Sequence, residues 1–130
     1  MSEQAKPQVG SIVWTDLTVS GADEIRDFYN RVVGWKPSAV DMGEYSDYSM
    51  NSPETDNPVA GICHARGANA GLPAHWLVYI TVEDLDGSMD QCRQLGGEII
   101  VGPKTMGAHA RYCVIRDPAG AVAALVQPNQ

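Results

Sequence analysis

Trp76-Leu77-Val78-Tyr79-Ile80-Thr81-Val82, running into Glu83-Asp84-Leu85-Asp86, is the stretch that decides the fold. Its first seven residues alternate. Val78, Ile80 and Val82 fall on one side of an extended chain, and Leu77, Tyr79 and Thr81 on the other. The acidic run after it opens a helix, because carboxylates are favoured at the positive end of the helix dipole. Leu85, Met89, Cys92 and Leu95 are that helix's apolar positions, and Gly96-Gly97 stops it. Strands are predicted next at 98–101, 111–115 and 121–126, the last two joined by the turn Asp117-Pro118-Ala119-Gly120.

The same order stands earlier in the chain. Residues 11–19 alternate, with Val13, Thr15, Leu17 and Val19 on one face and Trp14, Asp16 and Thr18 on the other. Ser20 is the expected cap of a helix carrying Ile25, Phe28, Tyr29, Val32 and Val33, and Gly34 its end. Strands are predicted at 35–40, 44–50 and 58–63. Val19 and Val82, Gly34 and Gly97, and Val59 and Val122 each stand 63 residues apart. One offset shared by strand, helix end and final strand marks a tandem duplication of a βαβββ unit. The expected organisation is a flexible leader over 1–10 and a single domain over 11–128. Within it, unit one covers about 11–64, a Gly- and Ala-rich linker about 65–75, and unit two about 76–127.

One helix cannot cover both faces of a four-stranded sheet. The fold class expected is therefore α+β, two βαβββ units forming a curved sheet around a trough, with the helices outside. The helix-facing sets are aliphatic or β-branched, whereas the opposite sets mix Trp14, Asp16, Thr18, Tyr79 and Thr81. Apolar walls with a few placed polar groups are what a small-molecule site needs.

Composition narrows the function classes. The chain has 130 residues, with 9 basic against 16 acidic side chains and a net charge of −7. That balance argues against nucleic acid or an anionic membrane surface as a partner, since both reward clustered Lys and Arg. No apolar run approaches the ~18 residues of a membrane span. Three cysteines, Cys63, Cys92 and Cys113, without a CxxC pair, point to a reducing, cytoplasmic setting. The Gly-rich stretch 67–71 has no Lys-Ser/Thr and is not a phosphate cradle.

Asp27-Phe28-Tyr29, Gly34-Trp35, Val82-Glu83-Asp84-Leu85-Asp86, Leu95-Gly96-Gly97 and Arg116-Asp117-Pro118-Ala119-Gly120, in this order and spacing, resemble the vicinal oxygen chelate superfamily. This is the glyoxalase, bleomycin-resistance and extradiol dioxygenase group, and the resemblance to glyoxalase-like proteins runs from about residue 12 to 127. It implies a homodimer and, in metal-dependent members, a divalent ion held by side chains from the first and last strand of each unit. Carried over, those positions are Trp14, Gly61, Leu77 and Ala124. None has a side-chain atom suited to Zn²⁺, Ni²⁺, Fe²⁺ or Mn²⁺. No metal ligand and no cofactor are therefore expected.

The candidate ligand-binding residues are Trp14, Asp16, Tyr48, Leu77, Tyr79, Arg111, Tyr112 and His109. Asp16 is an acceptor or general base, or is satisfied by a neighbour. Arg111 is a clamp for an anionic group, or an ion pair to Asp16 or Asp47. The tyrosines are walls or core, and Trp14 stacks on a ligand or plugs the ion's space. Trp76 stacks or packs at the unit junction, and His109 sits in a turn placed to fold over the cavity mouth. His64 and His75 read as surface or strand-end residues, and Cys63 as a small core residue. No catalytic residue is assigned. The expected function is binding of a small organic molecule without the usual divalent metal. The alternatives are a lyase, epimerase or dioxygenase with non-standard metal ligands or metal-free acid–base chemistry, and an interaction module with a filled trough.

Overall fold

The computed structural model describes residues 7–107 and 110–129. The chain divides into two compact units: Trp14–Trp76, and Met1–Val13 together with Leu77–Gln130. We call them the N-terminal and C-terminal units. The strand that links them, β1 (Ile12–Val19), begins in the second and runs through the first.

The N-terminal unit continues with α1 (Ala22–Val33), β2 (Lys36–Asp41), β3 (Ser46–Asn51) and β4 (Pro58–His64). Its strands lie in the order β2-β3-β4-β1, with β1 and β4 parallel and the other pairs antiparallel. The C-terminal unit holds β5 (Trp76–Thr81), α2 (Leu85–Gln94), β6 (Glu98–Met106), β7 (Ala110–Arg116) and β8 (Val122–Pro128). Its order is β5-β8-β7-β6, with β5 and β8 parallel. Asp16 pairs with Gly61 in one unit and Tyr79 with Ala124 in the other, so the 63-residue offset holds at the level of hydrogen-bond register. Each unit is an α+β βαβββ module.

The alternation in the sequence places the cores. In the N-terminal unit, Ala22 of α1 packs on Met50 and Ile62, with Ile25, Tyr29 and Trp35 around them. In the C-terminal unit, Leu85 and Met89 of α2 pack on Cys113 and Leu125, with Ile80 and Val82 beside them. Val19, Ile80 and Val82 thus face their helices, as period-two patterning requires. Burying a large side chain such as Met50, Ile62 or Leu85 completely is worth about 1.5–3 kcal/mol.

Four local expectations change. Ser20 does not cap α1: the cap is Gly21, with no side-chain hydrogen bond, because the helix begins one residue later. Gly34 ends that helix as expected, at φ 90°, with its N–H donated to the Asn30 carbonyl. β6 runs past residue 101 to Met106, since its register against β7 shifts between Val101 and Lys104 and so admits Gly102 and Pro103 on the edge strand. The stretch 65–75 carries a short 3-10 turn, Gly67–Asn69, and packs with the N-terminal unit. The end of the leader is also held. Gly10 N–H donates to the Thr81 carbonyl at 2.8 Å, and Thr81 N–H donates to the Ser11 carbonyl at 2.9 Å.

Candidate functional site

The sheet face turned away from α1 carries the most chemistry. Trp14 and Asp16 leave β1 on this face, and the register sets Gly61 beside Asp16 and Cys63 beside Thr18. Asp16 is 8% exposed and Thr18 6%. A Cβ built on Gly61 would stand 3.1 Å from Asp16 Cβ and 3.5 and 3.6 Å from Trp14 Cζ2 and Nε1. The indole therefore lies over Gly61, in the space that a side chain at 61 would need. Cys63, read as plain core, joins this group. Burial pushes its thiol well above the ordinary range, and the carboxylates of Asp16 and Asp47 push it the same way. A thiol held protonated by burial and two negative neighbours is not a nucleophile. Asp16 gives this face a carboxylate beside an aromatic wall, able to accept a hydrogen bond or a proton.

The matching face of the C-terminal unit is apolar. Leu77 and Tyr79 are 5% and 6% exposed, and Ala124 is fully buried. The Tyr79 and Tyr112 rings sit 6.2 Å apart at 53°. Leu77 and Tyr79 thus share one face, as their alternation predicts, and the register of β7 on β8 brings Tyr112 to it.

Two candidates stand elsewhere. Tyr48 pairs with Ile62 and so points to the α1 side, where its hydroxyl donates to Asp23 at 2.6 Å. That hydrogen bond pushes the phenol above its ordinary value. Arg111 shares the parity of Cys113, faces α2 and pairs with Asp86 at 3.1 Å, not with Asp16 or Asp47. Neither is placed to clamp a ligand on the faces described above. His109 lies outside the described residues. Trp76 also lies on the α1 side, its indole N–H donated to the Tyr29 hydroxyl at 3.2 Å.

The sequence reading missed a polar cluster at the end of β4. His64 Nδ1 is 3.2 Å from Asp47 Oδ1, and its Nε2 is 3.5 Å from Asp23 Oδ1. Asp47 also accepts the His64 backbone N–H at 2.8 Å. The alternation of β3 and β4 puts residues 47 and 64 near one another only once the hairpin register is known, so one-dimensional patterning gave no signal.

At the four positions that the family resemblance assigns to a divalent ion, the residues present do not fit one. Trp14, Gly61, Leu77 and Ala124 supply no ligating side-chain atom, and the space over Gly61 is taken by an indole ring. Among the described residues, no three His, Cys, Asp or Glu side chains are grouped to hold a metal.

A sequence profile of the Glyoxalase/Bleomycin resistance protein/Dioxygenase superfamily matches residues 11–125. "Putative glyoxylase CFP32" of Mycobacterium bovis is 28% identical over 121 residues, which cover 93% of this chain and 45% of that protein. "Anthracycline biosynthesis protein DnrV" of Streptomyces peucetius is 28% identical over 127 residues, covering 89% of this chain and 46% of its own length. The chain spans less than half the length of these curated relatives. Methylmalonyl-CoA epimerase from Mycobacterium tuberculosis superposes with a TM-score of 0.60 at 15% identity, covering 98% of this chain and 94% of that one. A hypothetical protein from Bacillus halodurans gives 0.61 at 13% identity, covering 95% and 97%. At such identities the structural matches establish the fold alone.

Proposed function

The chain belongs to the glyoxalase/bleomycin resistance protein/dioxygenase superfamily, and within it we propose a small-molecule-binding member that works without the family's usual divalent ion. One observation carries this reading: a carboxylate, Asp16, is buried to 8% exposure beside an indole that overlies Gly61. A carboxylate held in a strand and largely shielded from water is a directional hydrogen-bond acceptor at a fixed position. An aromatic wall next to it gives a compact organic ligand both an apolar seat and one directional anchor. The relatives' names, a putative glyoxylase and an anthracycline biosynthesis protein, support a small organic ligand in preference to a macromolecule.

A second reading rests on the same carboxylate: Asp16 as a general base that moves a proton on a bound carbon acid, without metal. Exchange of a substrate α-hydrogen in deuterated buffer, lost in Asp16→Asn, would favour it over binding alone.

The assembly we propose is a homodimer, because β2 is exposed along its whole length and offers an edge for a second copy. Three free cysteines support a reducing, cytoplasmic setting. Among the described residues, no helix is long and apolar enough to cross a membrane.

The test is a thermal-shift screen in chelator with planar aromatic metabolites, anthracyclines included, and short acyl thioesters. We expect a hit whose shift survives in Arg111→Ala and is lost in Asp16→Asn. Stabilisation that appears only when Zn²⁺, Ni²⁺, Fe²⁺ or Mn²⁺ is added would overturn the reading.

A further inference from the structure

We propose a second ligand site on the α1 side of the N-terminal unit, in the groove between α1 and the segment 65–76, taking a small organic cation with an apolar body. It lies on the opposite face of the sheet from Asp16 and is independent of the binding reading above.

The groove consists of two adjoining hollows that share Val19, Ile25 and Ala74 as walls. One, of about 320 Å³, is lined by Phe28, Tyr29 and Trp76. The other, of about 420 Å³, is lined by Ser20, Glu24, Ala70 and Leu72, and by Thr18 at the end of β1. Both volumes fall within the ~300–1,000 Å³ of small-molecule pockets. The groove stays open because the segment across from α1 presents Ala65, Ala70 and Ala74, whose side chains end at Cβ. A stretch that looks like a featureless linker is thus one wall of a cavity.

The first hollow is an aromatic corner. The Phe28 and Tyr29 rings meet at 5.1 Å and 86°, and those of Tyr29 and Trp76 at 5.3 Å and 80°. The hydrogen bond from Trp76 Nε1 to the Tyr29 hydroxyl, at 3.2 Å, ties two of the rings together before any ligand arrives. Near-perpendicular rings offer π faces in two directions, which suits a cation or a flat apolar body.

Charge decides between these and an anion. Among the described residues, no Lys or Arg lines either hollow; Glu24 supplies a carboxylate to the walls of the second, and His75 lines the first. The first turn of α1 carries both Asp23 and Glu24, which outweighs the partial positive charge of the helix end. The chain as a whole bears −7. An anion meets the Glu24 carboxylate on the groove wall and no Lys or Arg there. A cation gains from Glu24 at one end and from the rings at the other, so the ligand is an aryl- or alkylammonium laid along the groove.

Three probes with one body test this in the full chain: 2-(1-naphthyl)ethylammonium, 2-(1-naphthyl)ethanol and 3-(1-naphthyl)propanoate, followed by amide chemical shifts. We expect the ammonium to move Ile25, Phe28, Ala70 and Ala74 and to bind about tenfold tighter than the alcohol, with no shifts from the propanoate. Glu24→Gln should cut that preference to about two- to threefold, the share left to the rings, while keeping the alcohol. Ala74→Leu should block both, and Ala70→Leu serves if that variant melts early. Asp16→Asn should change nothing here, which separates failure of this site from failure of the other. Equal affinity for all three probes, or shifts centred on Trp14 and Gly61, would each overturn the proposal.

Discussion

The N-terminal and C-terminal units follow the same chain path and keep the same register, yet the faces away from their helices differ in kind. Where the first has Trp14, Asp16, Gly61 and Cys63, the second has Leu77, Tyr79, Ala124 and Val126, each 63 residues on. Thr18 and Thr81 are the matched polar pair, both buried. Backbone pairing and a covering helix hold the module together in each case, so the outer-face residues are free to diverge without loss of fold. The N-terminal face turned polar and aromatic, the C-terminal face apolar. The buried carboxylate thus belongs to one copy of the repeat, and the other copy has Tyr79 at the matching position.

The sharpest way to break this comparison is to give the apolar face the polar group of its counterpart. Tyr79→Asp places a carboxylate among Leu77, Ala124 and Val126 and should cost roughly 3 kcal/mol in urea denaturation at neutral pH. The penalty should shrink as the solution is acidified, because the neutral acid is cheaper to bury. A cost under about 0.5 kcal/mol, the range of an ordinary surface change, would show that the two faces are equivalent environments.

Exchanging the small residues gives a smaller, reciprocal effect. Gly61→Ala brings a methyl to 3.1 Å from Asp16 Cβ and against the Trp14 ring, and should cost about 1–2 kcal/mol by crowding. Ala124→Gly leaves a gap at a fully buried position of β8 and should cost about 1 kcal/mol. Adding Trp14→Leu to Gly61→Ala should recover most of the first loss, since the double variant copies the C-terminal arrangement. Additive costs in that double variant would mean the indole is not what fills the space over Gly61.

The polar contacts on the helix sides differ least. Tyr48→Phe removes a 2.6 Å hydrogen bond to Asp23 and should cost about 1 kcal/mol. Arg111→Met removes an ion pair to a largely exposed Asp86 and should change stability by less than about 0.5 kcal/mol. Thermal melts of the two variants side by side check the ranking.

What the sequence made legible follows the physics of periodicity. Alternation at 13–19 and 76–82 assigned the helix-facing and outer faces, and the repeat offset gave the duplication, because both depend on local spacing. Asp16 and Tyr79 were placed on the outer face for that reason. Tyr48 and Arg111 were not, since their faces depend on the register of β3 against β4 and of β7 against β8, which no local pattern encodes. The Asp47–His64–Asp23 cluster and the entry of Cys63 into the Asp16 group are register effects of the same sort. The cap of α1 moved from Ser20 to Gly21 because the helix starts one residue later than the sequence signal placed it. The groove wall at 65–76 was invisible because small residues carry no periodic signal whether they line a cavity or a loop.

The account turns on Asp16 beside Trp14 serving as an anchor that needs no metal. Its most direct test is the dissociation constant of a screening hit, measured by isothermal titration in EDTA for the wild type and for Asp16→Asn. The account predicts an affinity that EDTA leaves unchanged and that Asp16→Asn weakens by about tenfold or more, the scale of one charge-assisted hydrogen bond. Binding abolished by EDTA, or identical in the two proteins, would contradict it.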